Sequence, residues 1–337
     1  MPAPTEKRTD QFMDLSIIIV NWNSAQYLRA CLASIYRETR GGDFEVIVVD
    51  NASDDGCEQI VRREFPQAHF IQSSENIGFA RANNLGFAHS HGECLLFLNP
   101  DTEIVGDALG KMLLHLRANP SAGAVGARLL NTDGSLQMSC VQAFPTICNQ
   151  MLDSELLRRT FPNWRGWGMR PLFQRANRAA EVDAISGACF MVKRNVFEQA
   201  GLFGEQYFMY SDDLDLSYKI CKKGFAIHYL NDCEVVHHGG KSSAKQADHF
   251  ADLVQRESLL RFFRATKGPF YCVLYRFALA IVAVLRMTLV ALLTAIGRRS
   301  IQGTNSGVVF EKWLTILRWA IGLEHSSGRV EKTQVAL

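Results

Sequence analysis

Hydrophobic positions in the first third of the chain come in short unbroken runs. LSIIIV (15–20), FEVIVVD (44–50), AHFIQ (68–72) and ECLLFLNPD (93–101) are β-branched or leucine-rich and of strand length. Such runs read as strands buried on both faces, because a half-solvated strand would alternate with period two. Between them apolar residues recur at helical spacing. Leu28, Leu32 and Ile35 share a face of a helix that Ser24 would cap, and a short helix runs to Phe65. A Gly/Ala/Asn-rich helix (78–90) opens after Asn76, and Leu109, Met112, Leu113 and Leu116 mark another ending at Asn119-Pro120. This alternation predicts an α/β fold, a mostly parallel sheet flanked by helices.

After residue 123 the texture changes. GAVGARLL, the turn NTDG (131–134) and SLQMS suggest a hairpin, whereas 140–180, rich in Trp, Pro and Arg, carries no clear period. VDAISGACFMVKR (182–194) reads as a strand or strand pair, followed by a short helix from Asn195 to Gly201. Ser211 opens a helix that Gly224 stops. FAIHYL and CEVV then read as two short strands leading into His237-His238-Gly239-Gly240.

The remaining sequence is different again. Residues 277–296 are apolar apart from Arg286 and two Thr, long enough to cross a bilayer. A central Arg, however, costs roughly 2.5–3.5 kcal/mol on insertion. In VVFEKWLTILRWAIGL (308–323), Glu311, Thr315 and Arg318 fall on one helical face, and a Trp-bearing amphipathic helix suits a membrane interface. Monotopic embedding is therefore expected in preference to a full span. The plainer alternative is a helical hairpin packed on the body or on a second copy in a homodimer. The expected division is 14–250 and 251–337.

Composition sharpens this division. With 47% hydrophobic and 21% charged residues and a mean hydropathy of −0.03, the 337-residue chain is neither disordered nor polytopic. Its net charge of +2 hides an asymmetry: from 251 onward twelve Lys/Arg face five Asp/Glu, leaving −5 on the rest. An acidic body argues against nucleic acid as a partner, and a basic tail suits anionic lipid. Nine cysteines without a CxxC pair suggest reduced, buried thiols of a cytosolic protein. MPAPTEKRTDQFMD has no apolar core, so no secretory signal is expected there.

The chain has no GxGxxG after the first strand, and no GxxxxGK[ST], HExxH or GxSxG. Dinucleotide, P-loop, zincin and α/β-hydrolase chemistry are thereby disfavoured. In sheets of this kind ligands sit beyond the carboxyl ends of the strands. Asn21-Trp22-Asn23, Asp50-Asn51 and Asn99-Pro100-Asp101 each follow a strand, so three polar clusters converge on one edge. Asp101, held by a rigid apolar strand, can bind Mg²⁺ or Mn²⁺ and through it a diphosphate; its plainer role is a helix cap. Asp212-Asp213-Leu214-Asp215 exceeds what a helix dipole needs, and a crowded carboxylate suits a general base. His237 and His238 read either as loop histidines or as completing a metal shell with Asp101.

The order of these segments is distinctive. SIIIVNWNS, VVDNASDDG, NIGFARANNLG, LFLNPDT, SGACFMVKR, SDDLDLSYK and HHGGKSS, over about 14–245, resemble family 2 glycosyltransferases with a GT-A fold. They look most like the bacterial rhamnosyltransferase branch that builds cell-surface polysaccharide. The resemblance implies that Asn21, Trp22, Asp50 and Asn51 contact base and ribose, and that Asn76 and Arg81 lie near nucleotide and phosphates. Asn99-Pro100-Asp101 takes the DxD position, with Asn99 where other branches carry Asp. Asp101 and His237 would hold Mg²⁺ or Mn²⁺, with His238 as the fallback. Asp213 would be the catalytic base, supported by Asp215 and by Asp212, which replaces the more usual Glu.

The implied reaction is an inverting transfer of a sugar from a nucleotide-sugar donor, L-rhamnose from dTDP-L-rhamnose, to a hydroxyl of a lipid-linked saccharide. Its implied location is the cytoplasmic face of the inner membrane. A polyprenyl-phosphate sugar synthase is the first alternative, opposed by NIGFARANN and HHGG. The second is a non-catalytic membrane-bound partner, opposed by the intact acidic, Asn and His positions.

Overall fold

The computed structural model describes residues 13–40, 42–173, 179–239, 250–297, 300–301 and 304–324. Most of the N-terminal MPAPTEKRTDQFMD, Gly240 with the following KSS, and Arg298-Arg299 lie outside the described residues. The chain forms two compact units. One comprises the chain up to Ala143, Gly168–Glu205 and Asp212–Gly239; the other comprises Phe144–Trp167, Gln206–Ser211 and the chain from Gly240.

The first unit starts with β1 (Leu15–Asn21), α1 (Ala25–Glu38), β2 (Phe44–Asp50), α2 (Cys57–Glu64), β3 (His69–Gln72), α3 (Phe79–Ala88) and β4 (Cys94–Leu98). Every residue of β1 and of β4 is buried, which is why these runs do not alternate. β1 lies parallel between β2 and β4, and its register sets Asn21 beside Asp50. The fourth run, read as a strand to residue 101, ends at Leu98. Pro100 has no N–H to continue the ladder, and the Asn99 N–H turns aside to the Ala188 carbonyl at 3.0 Å. The chain then enters β5 (Thr102–Ile104) and α4 (Ala108–Ala118).

β6 (Ala122–Leu130) leads through a turn to a bridge between Leu130 and Leu136, the expected hairpin, and to β7 (Val141–Gln142). The unpatterned stretch supplies α5 (Ile147–Met151) and α6 (Glu155–Thr160), both in the second unit. β8 (Ala180–Val182), β9 (Ala184–Ile185), β10 (Cys189–Lys193), α7 (Arg194–Ala200), α8 (Asp212–Lys222) and β11 (Ala226–His237) complete the first. FAIHYL and CEVV prove to be one strand, kept continuous by register shifts at Ala226/Ile227 and Leu230/Glu234.

The main sheet runs β3-β2-β1-β4-β10-β6-β11-β5, with β8 also on β11. The β3–β4 half is parallel; β10 is antiparallel to both β4 and β6, making the whole sheet mixed. Two reversals cancel, and β11 is parallel to β6. The carboxyl ends of β1, β2, β4 and β11 therefore meet at one edge.

Two local details hold that edge. Ser24 does not cap α1 with its side chain; its hydroxyl donates to the Trp22 carbonyl. Asp55 does the capping instead, accepting from the Ala25 N–H at 2.7 Å and the Cys57 N–H at 3.2 Å, so one carboxylate ties the first turns of α1 and α2. α3 lies so close to β1 that a Cβ on Gly86 would stand 2.5 Å from Ile18 Cγ2.

In the second unit α9 (Phe250–Lys267) and α10 (Pro269–Ala295) are joined by Gly268, whose φ of 88° lets Pro269 open α10. β12 (Ser300–Ile301) and β13 (Thr304–Asn305) pair, and α11 (Ser306–Ala320) packs on α10. The polar face expected on α11 is divided. Glu311 and Arg318 are exposed, but Thr315 is buried with Trp313, Ile316 and Trp319, leaving Val308 and Ile321 in the open. All nine cysteines are free thiols, and seven are buried.

Candidate active site

At the end of β1, Asn21 Nδ2 donates to Asp50 Oδ1 (3.0 Å) and Ser53 Oγ (3.2 Å). Asp50, 1% exposed, also accepts from Cys57 Sγ, the Ser53 N–H and Gln72 Nε2. These donors hold its carboxyl below the ordinary range against the opposing effect of burial. Asn21 Oδ1 is buried and takes no protein donor. Trp22 is half-buried and Asn23 exposed, while Asn23 (φ 51°) and Ala52 (φ 60°) both adopt left-handed backbone at the strand ends. Asn51 Nδ2 donates to Asn76 Oδ1 (2.8 Å) and its Oδ1 accepts from the Ile77 N–H (2.9 Å). Asn21, Asp50, Asn51 and Asn76 thus form one connected group. Arg81 stands apart on the exposed side of α3, 3.5 Å from Glu205.

The second cluster sits where β4, β5 and β11 meet. His237 faces Thr102 across the β5–β11 pair, and its Nε2 lies 3.3 Å from Asp101 Oδ1 and 3.4 Å from Asn99 Nδ2. Gln137 grips the same histidine twice: its Oε1 lies 2.9 Å from Nδ1 and its Nε2 donates to the His237 carbonyl at 2.8 Å. With Nδ1 carrying the proton, Nε2 presents a lone pair toward the carboxylate. Two acceptors so opposed suit a cation between them, and 3.3 Å is close to the roughly 3 Å separating neighbouring ligands around Mg²⁺.

Among the described residues no group of three or more His, Cys, Asp or Glu could hold a metal. Asp101 and His237 therefore fit a hard cation whose other positions go to water or a diphosphate, as Mg²⁺ and Mn²⁺ tolerate. His238 is engaged elsewhere, with Nε2 2.7 Å from Glu103 Oε1 and Nδ1 3.1 Å from Thr132 Oγ1.

The acidic cluster is joined to this edge through the segment before β10. The Asn99 N–H reaches the Ala188 carbonyl, and the neighbouring Gly187 N–H donates to Asp213 Oδ2 at 3.0 Å. Asp213 Oδ1 accepts from the Leu214 N–H at 2.8 Å. Asp212 is buried, Asp213 only partly so, and Asp215 pairs with Lys219 at 2.7 Å. Burial raises both Asp212 and Asp213 above the ordinary carboxylate range, and for Asp212 the charges of Asp213 and Asp215 add to it. Tyr210 and Ser211, at φ 67° and 62°, are consecutive left-handed residues immediately before the triplet. The more accessible carboxylate, Asp213, is the one fixed by two backbone donors. That combination suits a proton acceptor at the edge of a cleft.

Several participants were not apparent from sequence. Gln137 lies in the hairpin after β6, a hundred residues before the histidine it grips. Gly187 was signalled only by being a glycine in SGAC, and Asp55 and Ser53 only by the polarity of NASDDG.

Comparison with known proteins identifies the family and the fold. The family model for glycosyl transferase family 2 matches residues 16–201, more than half of the chain. An N-acetylglucosaminyl-diphospho-decaprenol L-rhamnosyltransferase of Mycobacterium tuberculosis is 29% identical over 252 residues, 70% of this chain and 80% of that protein. A low-salt glycan biosynthesis hexosyltransferase of Haloferax volcanii is 30% identical over 228 residues, 66% of each. The fold is shared with a mannosyltransferase from Pyrobaculum calidifontis solved with GDP-Man and Mn²⁺ (TM-score 0.55, 21% identity, 92% of this chain and 85% of that one). The chain belongs to glycosyl transferase family 2 and is a nucleotide-sugar-dependent glycosyltransferase with a GT-A fold.

Proposed function

We propose that the protein is an inverting, divalent-cation-dependent rhamnosyltransferase that moves L-rhamnose from dTDP-L-rhamnose to a hydroxyl of a lipid-linked saccharide. In this reading 14–250 is the transferase domain and 251–337 the membrane-associating region. The chain works at the cytoplasmic face of the inner membrane in cell-surface polysaccharide synthesis. The observation that carries the chemistry is the linkage of Asp213 to the Asp101–His237 pair through Gly187–Ala188 and Asn99. The choice of sugar and acceptor rests on the likeness to the Mycobacterium tuberculosis rhamnosyltransferase.

Asp213, oriented by the Gly187 and Leu214 N–H groups, takes the proton of the acceptor hydroxyl as its oxygen attacks the anomeric carbon. The bond from that carbon to the diphosphate breaks on the opposite face, inverting the centre. Burial keeps Asp213 basic enough to accept the proton, and the charges of Asp213 and Asp215 act in turn on the neighbouring Asp212, raising it further than burial alone. Asn21, Trp22, Asp50 and Asn51 bound the nucleoside, with Asp50 acting mainly as the scaffold of its loop. Asn76, Arg81 and Asn99 border the phosphates. When bound, Mg²⁺ or Mn²⁺ on Asp101 and His237 supplies positive charge against the leaving diphosphate.

The test is transfer from dTDP-L-rhamnose to a polyprenyl-diphospho-N-acetylglucosamine by the purified chain, with the product's anomeric configuration read by NMR. Asp213→Asn should lower kcat by about 10²–10⁴ while dTDP binding persists. Full activity in that variant would overturn the base assignment. Sugar transferred to polyprenyl phosphate itself would favour the synthase reading. Intact dTDP binding without transfer or donor hydrolysis from any nucleotide sugar would favour the non-catalytic one.

A further inference from the structure

α10 has two unlike sides. At helical spacing Phe270, Val273, Phe277, Leu285, Leu289 and Leu292 stand open, Phe277 at 66% and Leu285 at 63% exposure. The opposite stripe, including Tyr275, Leu279, Val282 and Val290, is buried. Both charges of the helix belong to the packed side. Arg276 donates to the Trp319 and Ala320 carbonyls, satisfying the carboxyl end of α11, and lies over the Trp319 ring. Arg286 donates to the Asp153 carbonyl at 2.8 Å and lies 4.5 Å from the Trp313 ring centre. The open stripe is therefore uncharged along a helix about 40 Å long.

We propose that this stripe lies in the plane of a membrane, embedded in the acyl chains of one leaflet, and that α10 does not cross the bilayer. Length and hydropathy alone would allow crossing. The neighbours do not. α9 packs on α10, exposes Arg261, Arg264 and Lys267, and turns into α10 through Gly268 alone. A crossing α10 would draw these charges toward hydrocarbon, and α11, about 22 Å long, is too short to line the full core.

Charge also selects the occupant. The region from 251 carries twelve Lys/Arg against five Asp/Glu, which suits anionic headgroups. Apposing two copies of the stripe would instead bring like-charged surroundings together. The proposal deepens the membrane partner of the function proposed above and rests on that reading only for the acceptor's location.

Full-length protein is floated on phosphatidylethanolamine vesicles containing phosphatidylglycerol. The double variant Phe277→Glu, Leu285→Glu, both at open positions, should keep its melting temperature and bind vesicles about tenfold or more weakly. It should also lose transfer to vesicle-borne acceptor while keeping transfer to a short-chain acceptor in detergent. Failure of both transfers in the wild type would count against the proposed reaction and leave the flotation result standing. Lys267→Cys and Thr294→Cys, exposed at the two ends of α10 and off the stripe, in a background with exposed Cys148 replaced by Ser, should react with an impermeant maleimide from the same side of the vesicle. Labelling from opposite sides would overturn the in-plane arrangement. Unchanged flotation of the double variant would overturn the stripe assignment, as would a wild-type dimer that the variant dissolves and that never binds vesicles.

Discussion

Asp212 and Asp213 are adjacent in sequence yet differ in what they can do. Asp213 reaches toward solvent with both oxygens held by backbone N–H groups, whereas Asp212 is buried against two other carboxylates. Burial and those charges raise Asp212 to about 8. The folded protein therefore retains a proton that an unfolded chain releases near the ordinary Asp value, and the stabilising effect is lost as pH rises through the folded value. Asp212→Asn should accordingly lose less melting temperature than wild type between about pH 4 and pH 8, as differential scanning calorimetry would show. Gln137 offers a second residue-scale test. Its amide fixes both the tautomer and the carbonyl of His237, so Gln137→Leu should weaken Mg²⁺- or Mn²⁺-dependent dTDP binding about 10–100-fold in titration calorimetry.

Among the elements, the parallel half of the sheet was legible because burial on both faces writes itself as unbroken apolar runs: LSIIIV and CLLFL leave no room for another reading. Asn21, Asp50 and Asn99 could be assigned to one edge for the same reason. What sequence did not reveal was pairing at a distance. That β10 inserts antiparallel between β4 and β6 depends on Phe190 meeting both Phe97 and Gly126, residues about 90 and 60 positions away, and no local pattern encodes it. Ser24 does stand at the N-cap of α1, but its side chain makes no capping bond, and Asp55, 31 residues later, accepts from the first helical N–H instead. Thr315 reads as polar, but packing turns it inward beside Ile316. Helix-to-sheet distance is likewise set by one atom's worth of space at Gly86. Gly86→Ala should force α3 off Ile18 and cost about 1–3 kcal/mol in urea unfolding, a penalty that should shrink in an Ile18→Ala background, where the clashing Cγ2 is gone.

For the whole molecule, the candidate cation site offers two ligands among the described residues, Asp101 and His237, so nucleotide and metal should bind together. At a hundredfold excess over its dissociation constant, dTDP with Mg²⁺ should stabilise the fold by about 2.7 kcal/mol. Most of that gain should vanish with chelator or in Asp101→Ala, as thermal-shift measurements would read. Equal stabilisation with and without metal would count against the Asp101–His237 assignment. On the function proposed above, the −5 and +7 portions of the chain divide the labour, one supplying carboxylates for proton and metal chemistry, the other cations suited to a lipid surface.

β11 is the last strand of the main sheet to be synthesised, and it lies between β6 and β5 with β8 also paired to it. It also delivers His237. The β1–β2 edge is synthesised early, but His237 is available to Asp101 and Gln137 only once β11 has been made. On the function proposed above, a product ending before residue 237 would keep Asn21 and Asp50 but lack one of the two proposed cation ligands.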